Sequence, residues 1–273
     1  MSAEERPEAL TPDFYLFSIP SMKITVFNGS IHAKRGNTQL MVDAFAAGAG
    51  EAGAQVEMVF LAKKNIRPCT ACMSCWTRTP GACPVKDDME ELLPKFIGSD
   101  IVVMATPIYV DNVTAILKLF IDRLVPLIDP HMETDENSEV CHRKRFDHYP
   151  ELVVISSCAF PGLAQFQIIN AYFKRVAYHM HARVIAEIYR DAAMMLKLWE
   201  KTPMKPFVDN YKTLLAVAGR EIVKTRALSE QTVRQISQPF VPQEIYIDEV
   251  NKYWDRRIAK AEIRGHDTPL SIS

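Results

Sequence analysis

The sequence predicts an α/β protein with a doubly wound, five-stranded parallel sheet and a helical C-terminal extension. Two observations lead to this fold class. Short, almost continuously apolar segments alternate with segments of helical periodicity from residue 22 to about residue 190, and the loops with distinctive polar residues all follow the apolar segments. Apolar strands separated by helices form a parallel sheet covered on both faces. Such sheets bind ligands beyond the carboxyl ends of their strands.

The apolar runs predict five strands, at Lys23–Asn28, Val56–Leu61, Ile101–Thr106, Leu152–Ser156 and Arg183–Tyr189. Helical spacing predicts the intervening helices, at Asn37–Glu51, from Asp87 or Asp88 to Phe96, at Val113–Leu127 and from about Leu163 to Tyr178. Asp87 and Asp88 are interpreted as helix caps rather than as a catalytic carboxylate pair. Acidic residues follow them in the first turn, where they favour the helix dipole.

The chain divides into three predicted parts. Residues 1–21 are aperiodic and contain proline, so we expect a disordered or loosely docked extension. Residues 22–200 form the α/β domain. Residues 201–273 form the helical extension, with helices at Phe207–Leu228 and Glu244–Lys260, packed on the core or on a second protomer. Asp129–Pro150 is a long polar connection, which makes it a candidate lid or substrate loop.

Composition narrows the class of protein. The 273 residues are 48% apolar and 24% charged, with a net charge of −1, as in an ordinary globular protein. No basic stripe indicates nucleic-acid binding, and no segment indicates a membrane span or a signal peptide. We therefore expect a cytoplasmic protein whose six cysteines are reduced, metal-bound or catalytic rather than paired in disulfides.

Four of the cysteines have a distinctive spacing, Cys69-x2-Cys72-x2-Cys75-x7-Cys83. Three thiols within seven residues can converge on one point, and the fourth can fold back through the intervening turn. This pattern suits four thiolates around a metal or an iron–sulfur cluster. Zinc sites more often pair two separated Cys-x-x-Cys hooks. The spacing alone is compatible with three roles for these cysteines, namely an iron–sulfur cluster, a zinc site and free thiols.

The loop after the first strand has the chemistry of a phosphate site. Ser30 and Thr38 supply hydroxyls, Asn37 supplies an amide, and Gly36 permits a tight turn before a helix N-terminus. The segment is neither a P-loop nor a GxGxxG fingerprint. It fits a phosphate monoester held without metal, such as that of FMN, although an ordinary strand–helix turn would use the same residue types.

The loop after the third strand strengthens this interpretation. Thr106 and Pro107 set an extended turn, which can aim backbone N–H groups at a planar ring and place Tyr109 beside it. Because the two loops follow strands of one sheet, we expect them to meet. Together they predict a flavin site.

The segments NGSIHAKRGNT, CTACMSCWTRTPGACPVKDDM and ATPIYVDNVTAILKLFIDRL, with VVISSCAFPG as a weaker fourth, resemble the flavodoxin-like NAD(P)H-dependent FMN reductase superfamily and its iron–sulfur flavoprotein branch. The likeness covers about residues 22 to 190. It implies a flavodoxin-like fold and a phosphate site at Ser30, Gly36, Asn37 and Thr38. His32 stands where related loops often have arginine, and Lys34 and Arg35 could offset phosphate charge.

The resemblance also implies the remaining ligands. The flavin would lie against the loop made by Thr106, Pro107, Ile108 and Tyr109, and against Ser157, with Cys158 and Gly162 in the same third loop. Cys69, Cys72, Cys75 and Cys83 would hold a [4Fe–4S] cluster. No catalytic side chain is assigned, because in such proteins the flavin supplies the chemistry.

The function implied is an FMN-dependent oxidoreductase that moves electrons between FMN and the cluster. The donor would be NAD(P)H or a ferredoxin and the acceptor a small molecule, in a homodimer or homotetramer that completes each flavin site. One alternative is a cluster-free NAD(P)H-dependent FMN or quinone reductase with the cysteines as thiols. Another is a non-catalytic electron carrier or redox sensor.

Overall fold

The computed structural model of the chain describes residues 21–263. Apart from Ser21, the predicted N-terminal extension lies outside the described residues. Five parallel strands form the central sheet, in the order β2-β1-β3-β6-β7. Their bounds are β1 Lys23–Asn28, β2 Gln55–Phe60, β3 Ile101–Pro107, β6 Glu151–Ser157 and β7 Val184–Arg190. The predicted doubly wound, flavodoxin-like sheet is confirmed, with strand ends that shift by a residue or two.

Helices cover both faces of this sheet. They are α1 Asn37–Glu51, α2 Met89–Ile97, α3 Ala115–Asp122, α4 Gln167–His179, α5 Met194–Trp199, α6 Lys205–Thr225, α7 Glu230–Ile236 and α8 Gln243–Ile263. One apolar cluster joins the sheet to α2, α3 and α4, and a second joins the opposite face to α1, α5 and α6. The third predicted helix is shorter than expected, because a short 3-10 turn at Val125–Leu127 replaces its end.

Two glycines dock α6 on α1. A Cβ built on Gly48 would lie 1.9 Å from the Ala216 carbonyl oxygen, and one on Gly219 would lie 2.0 Å from the Phe45 carbonyl oxygen. Only backbones without side chains can approach so closely. The first long helix beyond residue 200 therefore covers the sheet face together with α1, while the division into domains at residue 200 stays a prediction.

The connection between α3 and β6, a candidate lid or substrate loop on its length and polarity, has regular secondary structure. It contains an antiparallel hairpin of β4 Ile128–Thr134 and β5 Val140–Lys144. Asp135 closes the turn, since its Oδ1 accepts the N–H groups of Asn137 and Glu139 at 2.9 and 2.8 Å. The polar sequence did not indicate these two strands, because most of their side chains are exposed.

Among the helices of residues 21–263, no segment combines the length and apolar character that crossing a membrane requires.

Candidate functional site

The carboxyl ends of β1 and β3 form the switch point of the sheet. From β1 the chain continues to β2 on one side, and β3 pairs with β1 on the other. In open α/β sheets, ligands bind where the strand order reverses in this way. The loops after β1, β3 and β6 therefore lie at the edge of the sheet where a ligand would bind.

The loop after β1 is closely packed around Ser30. Its N–H donates to Asn28 Oδ1 at 2.7 Å, and a Cβ on Gly36 would lie 2.7 Å from Ser30 Oγ. Gly36 also takes the N-cap position of α1, where no side chain satisfies the first N–H groups of the helix. Asn37 Oδ1 is buried without a hydrogen-bond partner among the described residues. The loop thus offers unpaired polar groups around a glycine that leaves space beside Ser30.

Hydrogen bonds bring the three loops together. Thr38 Oγ1 lies 2.9 Å from Ser157 Oγ, which joins the start of α1 to the end of β6. The Ile108 N–H donates to the Ser157 carbonyl oxygen at 2.9 Å, which joins the loop after β3 to the same strand. Thr114 Oγ1 donates to the Gly29 carbonyl oxygen at 2.6 Å. The predicted residues Ser30, Gly36, Asn37, Thr38 and Ser157 therefore belong to one connected site.

Tyr109 begins a tight turn at the rim of this site. The Tyr109 N–H donates to the Asn112 carbonyl oxygen at 2.9 Å, and the two residues between them, Val110 and Asp111, have φ values of 47° and 59°. A β-branched residue in the left-handed region is strained. The Val110 side chain is 97% exposed and the Tyr109 ring is partly exposed. The turn thus presents apolar surface near the loop after β1, to which Thr114 is bonded.

The other predicted residues differ in their surroundings. The Thr106 hydroxyl donates to the Pro107 carbonyl oxygen and accepts the Thr114 N–H, so it braces the loop. Cys158 is buried, and burial raises the pKa of its thiol. The His32 side chain is exposed, at the surface of the loop after β1. Gly162 has a φ of 93°, which favours glycine.

All four motif cysteines line one pocket of about 180 Å³ between the segment after β2 and the end of α3. Cys75 is buried, Cys83 is partly buried, and Cys69 and Cys72 are exposed. Burial, with the nearby thiols, raises the pKa of Cys75. Hydrogen bonds from Ser74 lower the pKa of Cys72 to about 7. Over residues 21–263, no three or more His, Cys, Asp or Glu side chains are grouped to hold a metal ion.

Arg123, which lines this pocket, forms a buried ion pair with Asp87. Arg123 Nη1 lies 2.6 Å from Asp87 Oδ2, Nη2 lies 3.1 Å from Asp87 Oδ1, and both side chains are at most 1% exposed. Arg123 Nη2 also donates to Cys83 Sγ at 3.3 Å. Burial opposes ionisation of Asp87, but bonds from Arg123 and two backbone N–H groups hold the pKa of its carboxyl below the usual value.

The model of the NADPH-dependent FMN reductase family matches residues 22–189, more than half of the chain. The chain belongs to this family. Its members are FMN-dependent oxidoreductases, and the match ends within β7, so α5 to α8 lie beyond it.

Two similar proteins and one similar structure agree with this family assignment. An iron–sulfur flavoprotein of Archaeoglobus fulgidus is 42% identical over 93 residues, or 34% of this chain and 41% of that protein. One of Methanocaldococcus jannaschii is 36% identical over 106 residues, or 39% and 53%. The chain thus spans about half the length of the curated relatives it matches. An azoreductase of Bacillus anthracis shares the fold, with a TM-score of 0.54 at 13% identity over 74% of this chain and 99% of its own.

Sequence reasoning gave no role to two residues that join these loops, Thr114 and Arg123. Thr114 caps α3 through the Leu117 N–H and holds Gly29, and its position before an apolar helix could have indicated a cap. Nothing in the sequence pattern distinguishes Arg123. Asp87 was interpreted as a cap, and its Oδ1 does accept the Met89 N–H at 3.1 Å, but its main partner is 36 residues away.

Proposed function

We propose that this protein is an FMN-dependent oxidoreductase that moves electrons between FMN and a [4Fe–4S] cluster. The observation that carries the proposal is the convergence of the loops after β1, β3 and β6 through the Thr38–Ser157 and Ile108–Ser157 bonds at the switch point. Membership of the FMN reductase family supports the flavin, and similarity to the two archaeal iron–sulfur flavoproteins supports the cluster.

The chain's own groups suit FMN without a metal. Ser30, Gly36, Asn37 and Thr38 would hold the phosphate, because the free N–H groups of α1 and the hydroxyls favour an anion. The fit rests on the space beside Ser30 that a Cβ on Gly36 would fill. Thr106, Pro107, Ile108, Tyr109 and Ser157 would line the ring and ribityl tail. Bound FMN supplies the exchange of electron pairs or single electrons.

Cys69, Cys72, Cys75 and Cys83 would hold the cluster, which supplies single-electron transfer. The fit rests on four thiols around one pocket and on a guanidinium that already donates to one of them. In a [4Fe–4S] cluster each thiolate binds its own iron, so the sulfurs surround a larger body than a single ion. A tetrahedral zinc site would draw all four to about 2.3 Å from one point.

The flavin pocket and the cysteine pocket lie near opposite ends of α3. Thr114 touches the phosphate loop and Arg123 touches Cys83. At 1.5 Å per residue, the nine steps between them span about 13 Å along the helix. One rigid helix therefore positions both proposed redox sites.

The expected partners are an electron donor, an acceptor and further copies of the chain. The donor would be NAD(P)H or a ferredoxin, and the acceptor a small molecule. Large apolar side chains are exposed on all three flavin loops, namely Ile31, Tyr109, Val110, Phe160 and Leu163. Exposed apolar side chains on all three loops would suit an interface between protomers, which supports a homodimer or homotetramer that completes each flavin site. His32, in the loop after β1, would add a polar side chain near the phosphate.

Anaerobic purification tests the proposal. FMN, iron and acid-labile sulfide are quantified in the wild type, in Cys72→Ser and in Cys141→Ser, whose thiol is buried in the hairpin and serves as the matched control. We expect about four irons and four sulfides per chain in the wild type and control, and FMN without a complete cluster in Cys72→Ser. Unchanged iron in Cys72→Ser contradicts the assigned ligands.

A second candidate is a cluster-free NAD(P)H-dependent reductase of FMN or quinones. The exposed Cys72 thiol with a pKa near 7 favours it, since such a thiol is reactive without a metal. Wild-type protein that binds FMN, lacks iron after attempted reconstitution, and is bleached rapidly by NADPH would establish it.

A further inference from the structure

Arg123 is a buried cation in contact with one of the proposed cluster ligands. We propose that Arg123 raises the reduction potential of the cluster through its N–H···S bond to Cys83, and that Asp87 limits the rise by neutralising part of the guanidinium charge. This inference rests on the proposed function. Arg123 is thus a positioning and tuning residue, since it acts through Cys83 rather than on a substrate.

The contacts of Arg123 fix the guanidinium in place. Nη1 donates to the Arg67 carbonyl oxygen at 2.7 Å and to Asp87 Oδ2 at 2.6 Å, while Nη2 donates to Asp87 Oδ1 at 3.1 Å and to Cys83 Sγ at 3.3 Å. The planar fork of arginine suits such a bidentate pair, which lysine cannot reproduce. The orientation of the N–H toward sulfur is therefore set by Asp87 and by the backbone.

One N–H group of the Arg123 guanidinium has no acceptor among the described residues. Arg123 Nε is buried without a partner among the described residues. A buried N–H group without an acceptor is unfavourable. Arg123 thus presents one N–H group to the Cys83 sulfur and leaves another without an acceptor.

The sign of the effect follows from charge. Reduction adds one electron to the cluster, and hydrogen bonds to its sulfurs and nearby positive charge stabilise the more negative form. Removing Arg123 should therefore lower the potential. Removing the charge of Asp87 leaves the guanidinium uncompensated and should raise it. Low polarity around the buried pair strengthens both effects.

A purely structural role predicts something else. Arg123 and Asp87 join the two ends of the cysteine segment to α3, so loss of either partner breaks the same ion pair. If the pair only held the segment in shape, both substitutions would disturb the cluster in the same way. Opposite shifts separate tuning from structural support.

The test is a potentiometric titration of the anaerobically reconstituted full chain, with the reduced cluster followed by electron paramagnetic resonance. Arg123→Met is compared with Asp87→Asn. The control is Asp88→Asn, because Asp88 accepts the Asn65 N–H at 2.8 Å and lies next to Asp87 along the chain. We expect a downward shift for Arg123→Met, an upward shift for Asp87→Asn and none for the control. A tenfold change in the one-electron equilibrium constant corresponds to 59 mV, and about this size is expected.

Iron and sulfide analysis accompanies each titration. Wild-type protein without a cluster overturns the proposed function and this inference with it. A wild-type cluster whose potential is unchanged in both variants, or shifted in the same direction, overturns this inference alone. If Arg123→Met loses its cluster, the reduction potential is measured in Arg123→Lys instead. A downward shift in that variant supports tuning by the N–H···S bond, and an unshifted potential overturns it.

Discussion

Replacement of Thr38 by valine should weaken FMN binding by about 10- to 100-fold while leaving riboflavin binding unchanged. The Thr38 side chain is 1% exposed and its Oγ1 lies 2.9 Å from Ser157 Oγ. A hydroxyl has one hydrogen to donate and two lone pairs to accept. Thr38 can therefore accept from Ser157 and donate to a phosphate oxygen at the same time, and valine fills the same space without doing either.

The magnitude follows from the charge of the phosphate. A hydrogen bond to a charged group contributes about 1.5–3 kcal/mol, and about 1.4 kcal/mol corresponds to a tenfold change in affinity. The apoprotein loses only the bond to Ser157, so its free energy of unfolding should fall by about 1 kcal/mol. Binding and stability should thus respond differently.

The assay is titration of the apoprotein with FMN and, separately, with riboflavin, which lacks the phosphate, monitored by quenching of flavin fluorescence. Thr225→Val provides a control, because Thr225 is exposed at the end of α6. Circular dichroism checks that each variant is folded. An FMN affinity in Thr38→Val equal to that of the wild type would refute the phosphate assignment. So would an equal loss of affinity for riboflavin, because the hydroxyl would then act elsewhere.

Two further predictions concern the packing of the C-terminal helices. Gly219→Ala should lower the free energy of unfolding by about 1–3 kcal/mol or more, because its Cβ would overlap the α1 backbone. Gly50→Ala in α1, with open space around its Cβ, should instead raise it by about 0.5–1 kcal/mol; urea denaturation of both variants checks this, and equal effects would contradict the close approach. Arg190→Met should cost about 3 kcal/mol, because it leaves the Gln238 and Ile236 carbonyl oxygens without their donors. Arg183→Ala, which breaks an exposed pair, should cost at most about 1 kcal/mol in the same assay.

The sheet could be predicted from sequence because each strand has local evidence for its existence. β1 and β3 are continuous apolar runs, and continuous apolar runs bounded by turns indicate strands buried on both faces. The hairpin of β4 and β5 lacked such evidence, because few of its residues are buried and most of its side chains are exposed. α7 was missed for a related reason, because its seven residues give too short a window for periodicity.

The flavin loops could also be anticipated, since their residue types and their places after β1 and β3 restrict what they bind. The sequence could not show which hydroxyl groups form hydrogen bonds with each other. The Thr38–Ser157 bond joins residues 119 positions apart, and only the crossing of α1 over the sheet brings them together.

The pair of Arg123 and Asp87 has a cost that favours a functional explanation over a stabilising one. Desolvation of two buried charges commonly offsets their attraction, so apolar replacements of such pairs are often as stable. A chain that needed only to join the cysteine segment to α3 could have used the apolar contacts that already surround α3. Sequence alone gave no reason to connect the two residues. The retained charge is explained if the guanidinium serves the sulfur of Cys83, which no apolar side chain can do.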